Sequence, residues 1–307
     1  MPAYCVLALD GGGLRGVFTG RLLERIVESE PAFLSRTDLI AGTSTGAILA
    51  VGLAMGKSPA EIRQLYEREG PKIFRESSFE SVVNPWNLFH AKYATKPRLD
   101  ALTGMFGDTT LGQLPKKVLI SSFDLDSAIG PCSKPGQATW KAKFFENYDH
   151  DGSDVSEKAV DVVMRSSAAP LYFPIYQNFV DGGVVANNPA MCALAQALNK
   201  DTGNQPLQNI RLLSIGTTAN REYIESMNGD WGLTSWGLQL VDMLLDGAVG
   251  LADYQCRQLL DGCYLRVNQE VKEAIPMDDV SAIPTLIALA DGVPLDPIIA
   301  WIRGQWL

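Results

Sequence analysis

Leu39-Ile40-Ala41 runs straight into Gly42-Thr43-Ser44-Thr45-Gly46, and Ala47-Ile48-Leu49-Ala50-Val51 follows. Two apolar runs joined by a G-x-S-x-G pentapeptide leave few ways to fold. The first run reads as a buried strand, the second as the start of a helix over Thr45 to Gly56, and the pentapeptide as the tight turn between them. The flanking glycines remove side-chain bulk that such a turn has no room for. This arrangement exposes a serine hydroxyl, as in the nucleophile elbow of serine hydrolases. Alone it is a weak signal, since short Gly/Ser turns are common.

The chain has only two histidines, His90 and His150, and none lies beyond residue 150. The α/β-hydrolase order of serine, then acid, then histidine is therefore closed to it. Either another group serves as base for Ser44, or Ser44 is not catalytic.

Two further segments bear on that choice. Tyr4 to Asp10 is an apolar run ending in Asp10-Gly11-Gly12-Gly13-Leu14-Arg15-Gly16, after which Val17, Leu22, Leu23, Ile26 and Val27 recur at helical spacing. This is a strand, a glycine-rich turn and a helix N-terminus, where backbone N–H groups without intrahelical partners can hold an anion. In acyl transfer that anion is the tetrahedral oxyanion. Later, Asp181-Gly182-Gly183 follows the apolar stretch Tyr176 to Val180 and puts a carboxylate at a strand end. Alone, that tripeptide would be read as a hairpin turn.

Gly11-x-Gly13-x-x-Gly16 also satisfies the dinucleotide-binding fingerprint, which requires an acidic residue after a second strand. Glu28 and Glu30 fall at the end of the helix instead, and Asp38 precedes Leu39-Ile40-Ala41. A nucleotide cofactor is disfavoured on that ground.

Taken in order, the Asp10–Gly16, Gly42–Gly46 and Asp181–Gly183 motifs resemble those of the patatin-like lipid acyl hydrolases, relatives of the cytosolic phospholipases. Supporting similarity comes from residues 165–174, Asn187-Asn188-Pro189 and Leu213-Ser214-Ile215-Gly216-Thr217, so the resemblance covers roughly residues 4–217. Thr218 departs from it, because many relatives carry a second glycine there. The resemblance implies a Ser–Asp dyad, with Ser44 as nucleophile and Asp181 as general base. The Gly11, Gly12 and Gly13 amides would form the oxyanion hole, with Arg15 helping to fix the loop or the anion. It implies a patatin-like three-layer α/β/α sandwich with a mostly parallel central sheet. It also implies a lipid substrate met at a membrane or micelle surface, with no cofactor and no metal. Two other readings accompany this one: an acyltransferase using the same dyad, and a silent storage or interaction protein keeping the fold.

The 307 residues suffice for one large domain. We expect residues 1–307 to form one patatin-like unit, with core motifs in 4–217 and a C-terminal helical extension, 218–307, packed on that core. A formal net charge of −9 argues against nucleic acid and against a polybasic grip on anionic membranes. No apolar stretch approaches a membrane span, and the first strand leaves no room for a leader peptide, so the expected location is cytoplasmic. Cys5, Cys132, Cys192, Cys256 and Cys263 are odd in number and show no C-x-x-C spacing, as free thiols in a reducing compartment would.

Further elements are expected as a helix from the Ser58-Pro59-Ala60-Glu61 capping box, a strand over Val118 to Asp124 and a helix over Glu157 to Ser166. A helix opens near Asn188-Pro189 and runs to about Asn199. Ile210 to Ile215 reads as a strand, Trp236 to Leu260 as a helix and Cys263 to Val267 as a late strand. Residues 201–209 and 217–235 read as loops. The acidic turn Asp149 to Asp154 carries Val160 where an EF-hand needs glutamate, so it reads as a solvated turn with His150 at the surface. No motif brings His90 to the site. Phe74 to Tyr93, Trp231 with Trp236, and Ile298 to Ile302 read first as core packing, with an acyl-chain pocket, lid or lipid contact as the functional counterpart.

Overall fold

The computed structural model describes residues 3–75, 90–126, 139–220 and 233–307. Trp231, Cys132 and most of the Phe74–Tyr93 stretch lie outside the described residues.

Strand β1 (Tyr4–Leu9) is central. On one side it pairs in parallel with β2 (Leu39–Thr43), which pairs in parallel with β3 (Lys117–Asp124). On the other it pairs in parallel with β6 (Ile210–Ile215), which is followed by β8 (Tyr264–Val267). Two strands run the other way, both on β3: β4 (Lys141–Glu146) at the sheet edge and β5 (Phe179–Asp181). The late strand therefore extends the central sheet. Short strands β7 (Ala219–Asn220) and β9 (Glu270–Val271) pair separately.

Alternate residues of β1 enter different cores, as a strand buried on both faces requires. Cys5, Leu7 and Leu9 join a cluster with α1 (Gly16–Ser29), α2 (Thr45–Ala54) and α3 (Pro59–Ile73). Val6 and Ala8 join the opposite cluster, with α7 (Ala190–Leu198) and α8 (Leu233–Leu260). The first cluster also takes in α4 (Thr95–Phe106), α5 (Ala159–Ser166), α9 (Ile283–Gly292) and α10 (Asp296–Gln305). The result is an α/β/α sandwich. Helix α2 shows why its sequence lacks charge: all ten of its residues are buried.

The capping box forms as expected, with the Glu61 amide donating to Ser58 Oγ at 3.2 Å and the Ser58 amide to Glu61 Oε2 at 2.8 Å. Helix α7 differs by one step. Pro189 is its N-cap, and Asn188 Oδ1 accepts the Ala190 amide at 3.0 Å. The C-terminal aromatic run docks as a helix: Ile298, Ile299 and Ile302 are buried, and Trp301 Nε1 donates to the Gly262 carbonyl at 2.9 Å. The acidic turn is tied up in local pairing, His150 with Glu146 at 2.8 Å and Asp154 with Lys143 at 2.6 Å. Among the described residues no group of side chains is suited to a metal, and no single helix is long and apolar enough to cross a membrane.

Candidate active site

The neighbours of β1 diverge here, β2 to one side and β6 to the other, and ligands of open α/β sheets settle beyond the carboxyl ends of strands at such a point. Both glycine motifs lie there. Leaving β2, the chain turns at Ser44 with φ 55° and ψ −117°, a strained conformation for a residue with a side chain. Glycine is required on both sides. A Cβ on Gly42 would lie 2.2 Å from the Gly46 carbonyl oxygen, and one on Gly46 would lie 2.1 Å from that of Leu9. The turn is held from outside as well. The Ser44 amide donates to Ser166 Oγ at 2.9 Å, and the buried Tyr66 hydroxyl donates to the Thr45 carbonyl at 3.0 Å.

The register of β3 explains how Asp181 arrives. Its Ser121 pairs with Thr43, the last residue of β2, and its next residue, Ser122, pairs with Asp181, the last of β5. The two strands run toward each other along one edge of β3 and meet end to end. Ser44 Oγ donates to Asp181 Oδ2 at 2.6 Å, while Asp181 Oδ1 accepts the Gly183 amide at 2.7 Å. Burial pushes the Asp181 carboxyl up to about 6, against the opposing pull of the Ser44 and Gly183 hydrogen bonds and of the Arg98 charge.

The Asp10–Gly16 loop faces this pair. Asp10 is anchored below it by Arg266, whose Nη1 donates to Asp10 Oδ1 at 2.9 Å and to Ser214 Oγ at 2.7 Å. Thr217 Oγ1 donates to the Gly11 carbonyl at 2.9 Å, and the Leu14 amide to the Met277 carbonyl at 2.7 Å. The Gly11 amide is spent on the Asn187 carbonyl at 3.0 Å. Among the described residues, the Gly12 and Gly13 amides have no such partner, and both residues line the cavity with Ser44 and Asp181. Gly13 has φ 59°, and a Cβ there would sit 2.3 Å from the Met277 carbonyl oxygen. Arg15 is buried in the same wall, with Nε donating to the Gly12 carbonyl at 3.3 Å.

The cavity holds about 290 Å³ and is walled largely by apolar side chains, among them Ile48, Leu65, Phe74, Leu102, Phe173 and Ile275, with Ser44 in its lining. The fold thus brings all six sequence-predicted residues together. It leaves His90 exposed and outside the cavity wall. Sequence reasoning missed Arg98, Tyr66 and Arg266. None stands in a recognisable motif, and Arg266 follows Asp10 by 256 residues.

A hydroxyl hydrogen-bonded to a buried carboxylate, in an apolar cavity with two unspent amides, is an arrangement chemically able to support acyl transfer. Comparison with known proteins gives the family. The patatin-like phospholipase family profile matches residues 7–194. The chain is 31% identical to a cGAMP-activated phospholipase of Pseudomonas aeruginosa, covering 92% of this chain and 84% of that one. It is 28% identical to Patatin-like protein 4 of Arabidopsis thaliana, covering 89% and 78%, and 28% identical to Protein teg of Priestia megaterium over the whole of both chains. The chain belongs to the patatin-like phospholipase family, a family of lipid hydrolases.

Proposed function

We propose that this protein hydrolyses carboxylic ester bonds of glycerophospholipids or related acyl lipids through an acyl-enzyme on Ser44. The observation that carries the reading is the 2.6 Å hydrogen bond from Ser44 Oγ to Asp181 Oδ2 in the wall of the apolar cavity. Asp181 takes the hydroxyl proton as Ser44 attacks the ester carbonyl, then returns it to the departing alcohol. Water follows by the same route: its proton passes to Asp181 as its oxygen bonds the acyl carbon, then the Ser44 Oγ–acyl bond breaks, the proton returns to Ser44 Oγ and the fatty acid leaves. Gly12 and Gly13 supply the oxyanion donors, while Gly11 and Arg15 hold the loop in shape.

The cavity mouth suits a lipid surface. Val184 lines it, Leu171 lies between the wall residues Pro170 and Tyr172, Ile175 follows shortly after, and all three are exposed. Apolar side chains in this position would lower the cost of drawing an acyl chain out of a bilayer or micelle. We further propose a cytoplasmic enzyme, with residues 1–307 acting as one unit.

The test is fatty-acid release, followed by mass spectrometry, from mixed glycerophospholipid vesicles by wild type and by Ser44→Ala. It is run with and without cyclic GMP–AMP, the activator in the name of one relative. Release that disappears in Ser44→Ala supports the proposal. Equal release by both proteins would sink it.

A further inference from the structure

Arg98, on α4, is only 3% exposed and belongs to the same cavity wall as Ser44 and Asp181. One nitrogen, Nη1, donates to the Ser167 carbonyl, and the guanidinium lies over the Phe173 ring, 4.1 Å from its centroid. Among the described residues its buried Nε and Nη2 have no hydrogen-bond partner. Among the described residues no carboxylate lies within ion-pair distance of it. Burying a cation on such terms disfavours the fold, so the charge calls for a purpose other than stability.

Its anchor points to that purpose. Ser167 is the middle of three residues that hold the dyad. Ser166 Oγ accepts the Ser44 amide at 2.9 Å, the Ser166 carbonyl accepts the Gly182 amide at 3.1 Å, and the Ala168 carbonyl accepts the Asp181 amide at 3.0 Å. The cation is thereby fixed to the segment that fixes nucleophile and base.

Other charged or titratable groups near the site have hydrogen-bond partners of their own. Arg15, in the glycine loop, is turned to the Gly12 carbonyl. Tyr176, before β5, donates to Asp161 of α5 at 2.7 Å, and Arg165 of that helix pairs with Glu157 at 2.8 Å. Asp124 on β3 accepts the Asp126 amide at 3.0 Å. The Arg98 charge favours the ionised Asp181 carboxylate, against the larger opposing effect of burial.

The geometry points to Arg98 as a positioning residue that serves as the fixed, buried counter-charge of the Ser44–Asp181 dyad, an inference that rests on the hydrolase reading above. When Ser44 Oγ bonds to the ester carbon, its proton passes to Asp181 Oδ2 and the carbonyl π pair moves onto oxygen. Negative charge leaves Asp181 and reappears on the oxyanion, so the net charge of the site is unchanged. A stationary cation in the wall those positions share acts on both without reorganising.

Arg98→Gln keeps a donor for the Ser167 carbonyl and removes the charge, Arg98→Met is a second neutral variant of similar bulk, and Arg98→Lys keeps the charge. The readout is the rate at which a fluorophosphonate labels Ser44 between roughly pH 5 and 9, with melting curves to establish folding. We expect the acid limb of either neutral variant to move up by ~1 pH unit, so that labelling near pH 6 falls several-fold while the alkaline plateau stays within a few-fold of wild type. Arg98→Lys should keep the wild-type midpoint. Folded neutral variants with an unmoved midpoint would overturn the inference, whatever their plateau. So would an unmoved midpoint with selective loss of phospholipid over neutral-ester hydrolysis, which would make Arg98 a head-group ligand. Wild type that never labels at Ser44 would instead remove the dyad reading itself.

Discussion

Asp181 accepts the Ser44 hydroxyl at 2.6 Å because Thr43 and Asp181 end strands that approach each other along one edge of β3, opposite the consecutive residues Ser121 and Ser122. Nucleophile and base are set by strand register, 137 positions apart in sequence. A rigid sheet edge, instead of two mobile loops, fixes their separation.

Asp181→Asn should separate activity from stability. It removes the proton acceptor, and turnover should fall by ~10²–10⁴. The folded-state pKa of Asp181 is raised by burial to about 6, so folding favours the protonated acid. The stability linked to that proton is complete below the unfolded pKa and is lost as pH rises through about 6. At neutral pH the ionised Asp181 therefore costs the fold, by roughly 3 kcal/mol at most. The amide variant should melt higher than wild type at pH 8 and lose that advantage in acid. A variant melting well below wild type at pH 8 would contradict the assignment.

Activity should follow the same group with the opposite sign. The base works only when ionised, so kcat/KM for a soluble ester should fall as pH drops through about 6, tenfold per unit well below that midpoint. A profile level down to pH 4.5 would exclude Asp181 as the base.

Gly12→Ala should cut turnover by ~10²–10³, the usual cost of losing an oxyanion donor. Its Cβ would lie 2.1 Å from Thr217 Oγ1, so the loop must shift. Thr217→Ser, which keeps the hydroxyl bonded to the Gly11 carbonyl, should stay close to wild type. Equal activity in wild type and Gly12→Ala would contradict the role given to the loop.

Thr218 departs from the usual glycine, and the structure shows the consequence. Its φ is 86° and its buried Oγ1 has no partner among the described residues, a poor setting for a β-branched residue. Thr218→Gly should relieve about 1 kcal/mol and raise Tm by roughly 2 °C with little effect on activity. A lower Tm would refute that account.

The sequence marked what short-range chemistry marks. Glycines at 42 and 46 announce a turn because no side chain fits there, and Ser58 with Glu61 announces a helix start because capping is local. It was silent where long-range packing decides. Lys141–Glu146 is an edge strand with charged residues at the start, so it carries no apolar run to read. Thr95–Phe106 forms a helix with no side-chain cap to announce it, and with it the sequence hid Arg98, whose partners Ser167 and Phe173 come from another segment. Even the shared oxyanion assignment is refined only in space. The Gly11 amide turns to Asn187, a bond that spacing cannot foretell.

The most direct test of the account is to trap the acyl-enzyme. Wild type and Ser44→Ala are mixed with a glycerophospholipid, quenched in acid during turnover, digested and mapped by mass spectrometry. The account predicts one fatty-acyl group on the peptide containing Ser44, absent from Ser44→Ala, which also releases no fatty acid. Fatty-acid release by Ser44→Ala at the wild-type rate, with no acylated peptide in either protein, would contradict it.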